Sequence, residues 1–432
     1  MGMQSPFIIS LLGYELFFFI VMNLFWIWLY YTFSKRGRKT FGTNSKPLVS
    51  VIIPVFNKGR HLKGTINSAL GIGYEPKEII VVNDGSTDSS REICREYEKR
   101  GRIRFIDFKR NRGKAHALNA GIRASSGELI LSIDADSFVS SNSLSRMVRH
   151  FDDPEMGAVA GVVRVRRERG ILNKLQIIEY LQQAFQRMVQ GFFDAVLVLP
   201  GPLSLYRKSA IIDAGGFEDS TLVEDWDITM KIHKKGYKVV SEKTASADTI
   251  APESVKGWWH QRVRWSRGGI QIARRHTDII GKSRNRALTR IVFPLHVMWL
   301  VVPLIVIPTF FILMIPSEVM IGRFVSDLTL LFNMIKELFM TGSTSIAGIY
   351  SVIDKIIFNI VDLTSMDYVR FLGYTSGIAF VWFTYTSIKS IDKSFTPKHL
   401  LTLLLMPIYW MMLNIVYIQS IILEVIKGEM KW

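Results

Sequence analysis

Three acidic signals punctuate the chain: Asn83-Asp84-Gly85-Ser86-Thr87-Asp88, Asp134-Ala135-Asp136 and Glu224-Asp225-Trp226-Asp227. Carboxylates are hard oxygen ligands suited to Mg2+ or Mn2+, and a metal held this way neutralises charge on a departing diphosphate. A nucleoside diphosphate is the ligand such a set calls for. Taken singly, each signal reads as readily as an acidic turn or a helix cap. Their occurrence together favours chemistry. Lys114, in Asn111-Arg112-Gly113-Lys114-Ala115-His116, stands just after a glycine at a helix start, where a lysine either reaches phosphates or base, or is a solvated surface charge. His116 reads as structural.

A fourth signal, Trp258-Trp259-His260-Gln261-Arg262-Val263-Arg264-Trp265, combines indoles and guanidinium groups on a predicted amphipathic helix over about 254–275. Gln261, Arg264 and Trp265 share one face at helical spacings of three and four. Arginine clamps a diphosphate through paired hydrogen bonds, and indole offers a flat apolar surface to a sugar ring. A helix whose tryptophans sit at headgroup depth explains the same residues, and both roles are compatible.

The elements that must position these residues alternate. Residues 48–56, 78–82, 103–107 and 128–133 predict strands, and 60–70, 88–100 and 115–124 predict helices. Such alternation implies right-handed βαβ units and a mostly parallel sheet, with ligands at the carboxyl ends of its strands. All three acidic signals fall where that rule places ligands. The single cysteine, Cys94, excludes a disulfide framework and a cysteine-rich metal site, and reads as a helix-packing residue.

Apolar sequence flanks this region. Of 432 residues, 48% are hydrophobic, more than one soluble domain needs. Residues 6–33 are long enough to span a bilayer, and 291–315, 368–388 and 400–423 predict three further spans. Between them, 317–366 reads as an amphipathic segment at the interface. The net charge of +17 is compatible with nucleic acid, anionic lipid or a phosphorylated substrate. Basic clusters at Lys35, Arg36, Arg38 and Lys39, and at Lys282, Arg284, Arg286 and Arg290, adjoin the apolar runs. This favours the membrane over nucleic acid, for which no partner role is expected. By the positive-inside rule the N-terminus lies outside and the 46–280 domain in the cytoplasm. The expected organisation is a transmembrane helix within 1–34, a cytoplasmic domain over 46–280, and a C-terminal transmembrane region over 288–432.

In this order and between apolar runs, Asn83-Asp84-Gly85-Ser86, Asp134-Ala135-Asp136, Glu224-Asp225 and Gln261-Arg262-Val263-Arg264-Trp265 resemble the membrane-bound processive members of glycosyltransferase family 2. These include cellulose, chitin, hyaluronan and poly-N-acetylglucosamine synthases. The resemblance covers roughly residues 48–271. It implies an α/β GT-A (Rossmann-like) cytoplasmic domain inserted between transmembrane helices of a multi-pass plasma-membrane enzyme. It further implies inverting transfer from a UDP-sugar to a growing polysaccharide, with Mg2+ or Mn2+ as cofactor and either an accessory membrane subunit or a second copy as an admissible partner.

Carried over by position, the resemblance assigns Asp84 to the base or ribose and places Pro54, Asn57, Lys114 and Asp134 in the nucleotide-sugar site. Asp134 and Asp136 form the metal pair, with Asp136 the more direct ligand. Asp225 looks like the general base beside Glu224, and Gln261, Arg264 and Trp265 bind the diphosphate and the acceptor end. Repulsion from Glu224 and Asp227 is expected to raise the proton affinity of Asp225. One departure is Lys58, where the family often has an acidic residue. The run 201–207 resembles hyaluronan synthases, whereas 265–269 and 173–180 resemble poly-N-acetylglucosamine synthases. UDP-N-acetylglucosamine is the favoured donor. The alternative is non-processive transfer to a lipid or lipid-phosphate acceptor, which has less need of the Gln-x-x-Arg-Trp motif. A silent membrane scaffold is disfavoured by the intact Asp136 and Asp225.

Overall fold

A computed structural model describes residues 6–35, 46–166, 170–314, 365–392, 400–403 and 405–426. The expected amphipathic segment 317–366 lies almost wholly outside the described residues, as do Arg36, Arg38 and Lys39.

Eight strands form one sheet: β1 (Val49–Val55), β2 (Lys77–Asp84), β3 (Arg104–Phe108), β4 (Leu129–Ser132), β5 (Ser137–Val139), β6 (Met156–Val165), β7 (Ser204–Arg207) and β8 (Lys238–Thr249). Among them run helices α1 (Pro6–Phe33), α2 (Gly59–Leu70), α3 (Ser90–Lys99), α4 (Lys114–Ala124), α5 (Ser143–Val148), α6 (Gly170–Gly191), α7 (Lys208–Asp213), α8 (Glu224–Lys234), α9 (Val255–Arg275) and α10 (Ile279–Lys282). Beyond them lie α11 (Phe293–Met314), α12 (Ser365–Ile391), α13 (Leu400–Leu403) and α14 (Met406–Val425).

β1 is buried at every position because helices cover both faces, which is why it reads as the unbroken run Val-Ser-Val-Ile-Ile-Pro-Val. On one face Leu62, Ile66 and Ala69 of α2 join Val51, Ile53, Val81, Ile93 and Cys94. On the other, Ala115, Leu118 and Ile122 of α4 pack on Ile52 and Ile130. Cys94 packs in α3 as expected. Each Leu, Ile or Val among them contributes roughly 1.5–3 kcal/mol on burial. That is ample to fix the register of the strands from which the acidic loops emerge.

The sheet order is β3-β2-β1-β4-β7-β6-β8-β5. β1 pairs in parallel with β2 and β4, and β2 with β3, as the alternation predicts. Past β4 the expectation of a mostly parallel sheet fails. β7 runs antiparallel to both β4 and β6, and β5 antiparallel to β8, although β6 and β8 are parallel. The cause lies in the connection before β7. After α6 the chain passes Ala195 alongside Val239 of β8 and turns at Pro200 and Gly201, so it enters β7 from the opposite end of the sheet.

The contacts divide the chain into two units, residues 1–27 with 302–383, and 28–301 with 384–432. In the first, Leu16 and Ile20 of α1 pack on Leu372 and Ala379 of α12. In the second, the end of α1 seats Tyr30 on Phe185 and Phe33 on Phe193, and α14 lies along α9. Helices occur at all four expected spans. Among the described residues two stretches, Gly13–Phe33 and Met406–Val425, are long and apolar enough to cross a membrane, and Leu288–Leu304 is a shorter apolar helix.

Candidate active site

Loops leaving the carboxyl ends of β1, β2 and β3 are stitched together by side chains that cap their neighbours' amides. Asn57 follows β1 in the left-handed region, φ 50°, a conformation its short polar side chain tolerates. Its amide donates to Ser86 Oγ at 3.0 Å, and its Oδ1 accepts from the Thr87 amide at 2.8 Å. Pro54 is buried within β1 opposite Val82. Asp84 is buried, with Oδ1 and Oδ2 accepting from the amides of Arg112 and Gly113 at 2.8 and 2.9 Å. The adjoining Gly85 has φ 71°, and a Cβ there would come within 2.3 Å of the Arg110 backbone. Only glycine lets the two loops approach this closely.

Four charged side chains meet where β4, α4 and α8 converge. Lys114 Nζ lies 2.7 Å from Asp134 Oδ1 and 2.8 Å from Glu224 Oε1. Burial opposes its charge, but Asp134, Glu224 and Asp225 together hold its pKa well above the usual lysine value. Asp225, half-buried at the start of α8, accepts from the Gly201 amide at 3.1 Å and from the Trp226 amide at 2.9 Å. Burial, then the Glu224 carboxylate, raise Asp225 to about 6; Lys114 and Arg264 pull the other way.

Asp227, expected to add to that shift, is not among its main causes. Asp227 sits two residues along α8, about 200° around the helix. There it is buried against His276 Nε2 at 2.9 Å and Lys231 Nζ at 2.7 Å, which lower its pKa against the effect of burial. It serves α8 packing.

Asp136 does not join the Lys114 cluster; its Oδ2 is 2.7 Å from Lys58 Nζ. On α9, Arg264 Nη1 donates to the Leu222 carbonyl at 3.3 Å, and its charge is felt at Asp225. Trp265 faces Tyr180 at 6.2 Å between ring centroids, and Gln261 Oε1 accepts from Arg262 Nη1 at 2.5 Å. Trp258, by contrast, is wholly buried and donates to the Tyr409 hydroxyl at 2.7 Å. His116 is exposed, with Nδ1 3.8 Å from Asp219 Oδ2.

Residues 50–215 match the family described as Glycosyl transferase family 2. The chain is 32% identical over 308 residues to the poly-beta-1,6-N-acetyl-D-glucosamine synthase of Staphylococcus aureus strain COL, covering 68% of this chain and 74% of that one. It belongs to glycosyl transferase family 2. The synthase of the same name from Staphylococcus epidermidis is 32% identical over 293 residues, 65% of this chain and 71% of the relative. Among solved structures, a mannosyltransferase from Pyrobaculum calidifontis in complex with GDP-Man and Mn2+ aligns over 86% of this chain and 99% of its own, with TM-score 0.56 and 18% identity. That likeness supports a GT-A-like mixed α/β fold. As a family 2 glycosyltransferase, the chain is an enzyme related to polysaccharide synthases.

Among the described residues no group of three His, Cys, Asp or Glu side chains could alone hold a metal. The hard carboxylates of Asp134 and Asp136 nevertheless suit Mg2+ or Mn2+. Mg2+ in particular usually keeps several waters and is bound through one or two carboxylates plus substrate phosphates. The donor set therefore fits a metal that arrives with a diphosphate.

Two site residues lay beyond sequence reasoning. Gly201 enters the sequence reading only within the run 201–207, with no role of its own, yet its amide holds Asp225. Arg187 carried no signal. Its Nε is buried without a hydrogen-bond partner among the described residues, and burial lowers its pKa to about 10 against the fields of Tyr180 and Asp225.

Proposed function

We propose that this family 2 enzyme transfers N-acetylglucosamine from UDP-N-acetylglucosamine, with inversion, to a growing polysaccharide on the cytoplasmic face of the plasma membrane. The observation that carries the reading is the convergence of Asp225, Glu224, Lys114 and Asp134 at the carboxyl edge of the sheet, with Arg264 from α9 in their field. Relatives with the synthase name support the choice of sugar.

In this mechanism Asp225 takes the proton of the acceptor hydroxyl. The hydroxyl oxygen then bonds to the anomeric carbon as the bond to the UDP oxygen breaks on the opposite face. A carboxylate raised to about 6 is mostly ionised at neutral pH, yet more basic than an ordinary aspartate. Lys114 and Arg264 hold the diphosphate as charge builds on it, and Glu224 keeps Lys114 in place. Asp84, Asn57 and Pro54 shape the nucleotide pocket, while Gln261 and Trp265 bind the acceptor end. Asp136 and Asp134 would hold a divalent ion, which would supply further charge neutralisation at the diphosphate.

The domain over 46–280 is cytoplasmic in this reading, and the helices at the four expected spans guide the polymer outward. Non-processive transfer to a lipid acceptor is the second reading, and the Gln261, Arg264 and Trp265 face favours extension over it. The test is incubation of purified protein with a panel of radiolabelled UDP-sugars and Mn2+ or Mg2+, followed by sizing of the product. A long polymer from UDP-N-acetylglucosamine is expected. A single sugar on lipid would support the second reading, and no incorporation from any UDP-sugar would overturn both.

A further inference from the structure

Helix α9 is held from behind by a buried polar cluster outside the three positions that define its motif. Arg262 is 2% exposed, and its Nε donates to Glu179 Oε1 at 3.0 Å while its Nη2 donates to Glu179 Oε2. The Tyr409 hydroxyl, from α14, donates to that same Oε2 and accepts from Trp258 Nε1. One carboxylate on α6 thus receives a fork from α9 and a hydroxyl from α14.

The guanidinium at the centre also touches two motif residues. Its Nη1 donates to Gln261 Oε1 at 2.5 Å, and its carbon lies 4.3 Å from the centroid of the Trp265 ring. Tyr180, next to Glu179, bounds the same ring. Burial disfavours the charge on Arg262, and the Glu179 carboxylate together with the Tyr409 and Tyr180 hydroxyls outweighs it. An apolar packing of similar volume generally serves stability as well as a buried ion pair does, so the better-attested use of such a pair is to fix register.

A second tether ties α14 to the catalytic side. Glu424 Oε1 accepts from Arg267 Nε at 2.7 Å and from Gln271 Nε2 at 3.0 Å. Gln271 Oε1 in turn accepts from the amide of Leu222, just ahead of Glu224 and Asp225. The helix that follows the catalytic domain by more than a hundred residues therefore bears on both the acceptor motif and the base.

We propose that Glu179, Arg262 and Tyr409 are positioning residues that set Gln261 and Trp265, so that the acceptor site is complete only when α14 is seated on α9. This rests on the reading of Trp265 as the acceptor platform.

The test uses full-length protein in lipid nanodiscs, labelled with 5-fluorotryptophan, in which the Trp265 resonance is assigned by its loss in Trp265→Phe. Tyr409→Phe removes one hydroxyl and is expected to leave the melting temperature within a few degrees; Glu179→Gln is the stronger variant. Both should move or broaden the Trp265 resonance, whereas Arg100→Ala, on the exposed end of α3, should not. With a short β-1,6-linked N-acetylglucosamine oligomer as acceptor, Tyr409→Phe should raise KM roughly tenfold, the size of one charge-assisted hydrogen bond, while UDP affinity stays within about twofold. An unmoved Trp265 resonance in both variants overturns the proposal. A moved resonance with unchanged acceptor KM, in a protein still making polymer, overturns instead the assignment of Trp265 to the acceptor.

Discussion

Asp225 occupies the position where local environment bears most directly on chemistry. Its pKa near 6 arises first from burial and then from Glu224. A base acts when deprotonated, so kcat/KM should be full above that value and fall tenfold per unit as pH drops below it. Glu224→Gln removes the nearer negative charge and should move the acid limb to lower pH, towards the ordinary carboxylate range. Asp225→Asn keeps the shape but cannot accept the proton, and should cost on the order of a hundred- to ten-thousand-fold in transfer with UDP affinity retained. Joint loss of UDP binding and transfer would move the base assignment to Glu224. Asp136 invites a different experiment, because its carboxylate is paired with Lys58. That pair is partly exposed and worth about 0–1 kcal/mol, so displacing the ammonium costs a metal at most about fivefold. Lys58→Gln should therefore tighten Mn2+ binding in the presence of UDP by up to that factor, read by electron paramagnetic resonance. Weaker Mn2+ binding would mean that Lys58 assists the metal site instead of competing for it.

The short turn before β7 shows how an element can matter through what it excludes. A Cβ on Gly201 would stand 2.9 Å from both Lys114 Nζ and Asp134 Oδ2, while the Gly201 amide holds Asp225. Gly201→Ala should push the lysine off Asp134 and lower transfer at least tenfold, for an overpacking cost of about 1–3 kcal/mol in stability. Parallel transfer assays and thermal melts check this; normal activity would show that the turn yields easily. The parallel half of the sheet was legible from sequence because strands buried on both faces must be continuously apolar, as in β1 and β2. The acidic loops followed from that frame. The antiparallel β7 was not legible, since its direction depends on Ala195 running beside Val239, a contact that no local pattern encodes. Nor was the turning away of Asp227, which follows from the partners His276 and Lys231 that a helix face happens to meet. The Lys114 to Glu224 contact likewise joins distant segments, and sequence supplied its members without their pairing.

At the scale of the whole chain, the net charge of +17 and its placement beside apolar helices argue for a fixed orientation in the bilayer. Of the described helices, α14 and most of α1 are long and apolar enough to cross, and α11 begins just after a basic cluster at Lys282, Arg284, Arg286 and Arg290. Basic residues stay on the cytoplasmic side, so the catalytic domain between the first and second apolar runs should be inside and the N-terminus outside. Cys94 makes this easy to test, because the only native thiol is buried and burial pushes its pKa up to about 12, leaving it unreactive at neutral pH. Cysteine introduced at Lys99, on the exposed end of α3, and at Ser283, just after α10, should resist a membrane-impermeant maleimide in intact cells and label fully after permeabilisation. Cysteine at Gln4, ahead of the first apolar run, should label in intact cells. Labelling of Lys99→Cys or Ser283→Cys without permeabilisation would place the catalytic domain outside. It would then be cut off from cytoplasmic nucleotide sugar, and the direction of polymer export would have to be reversed.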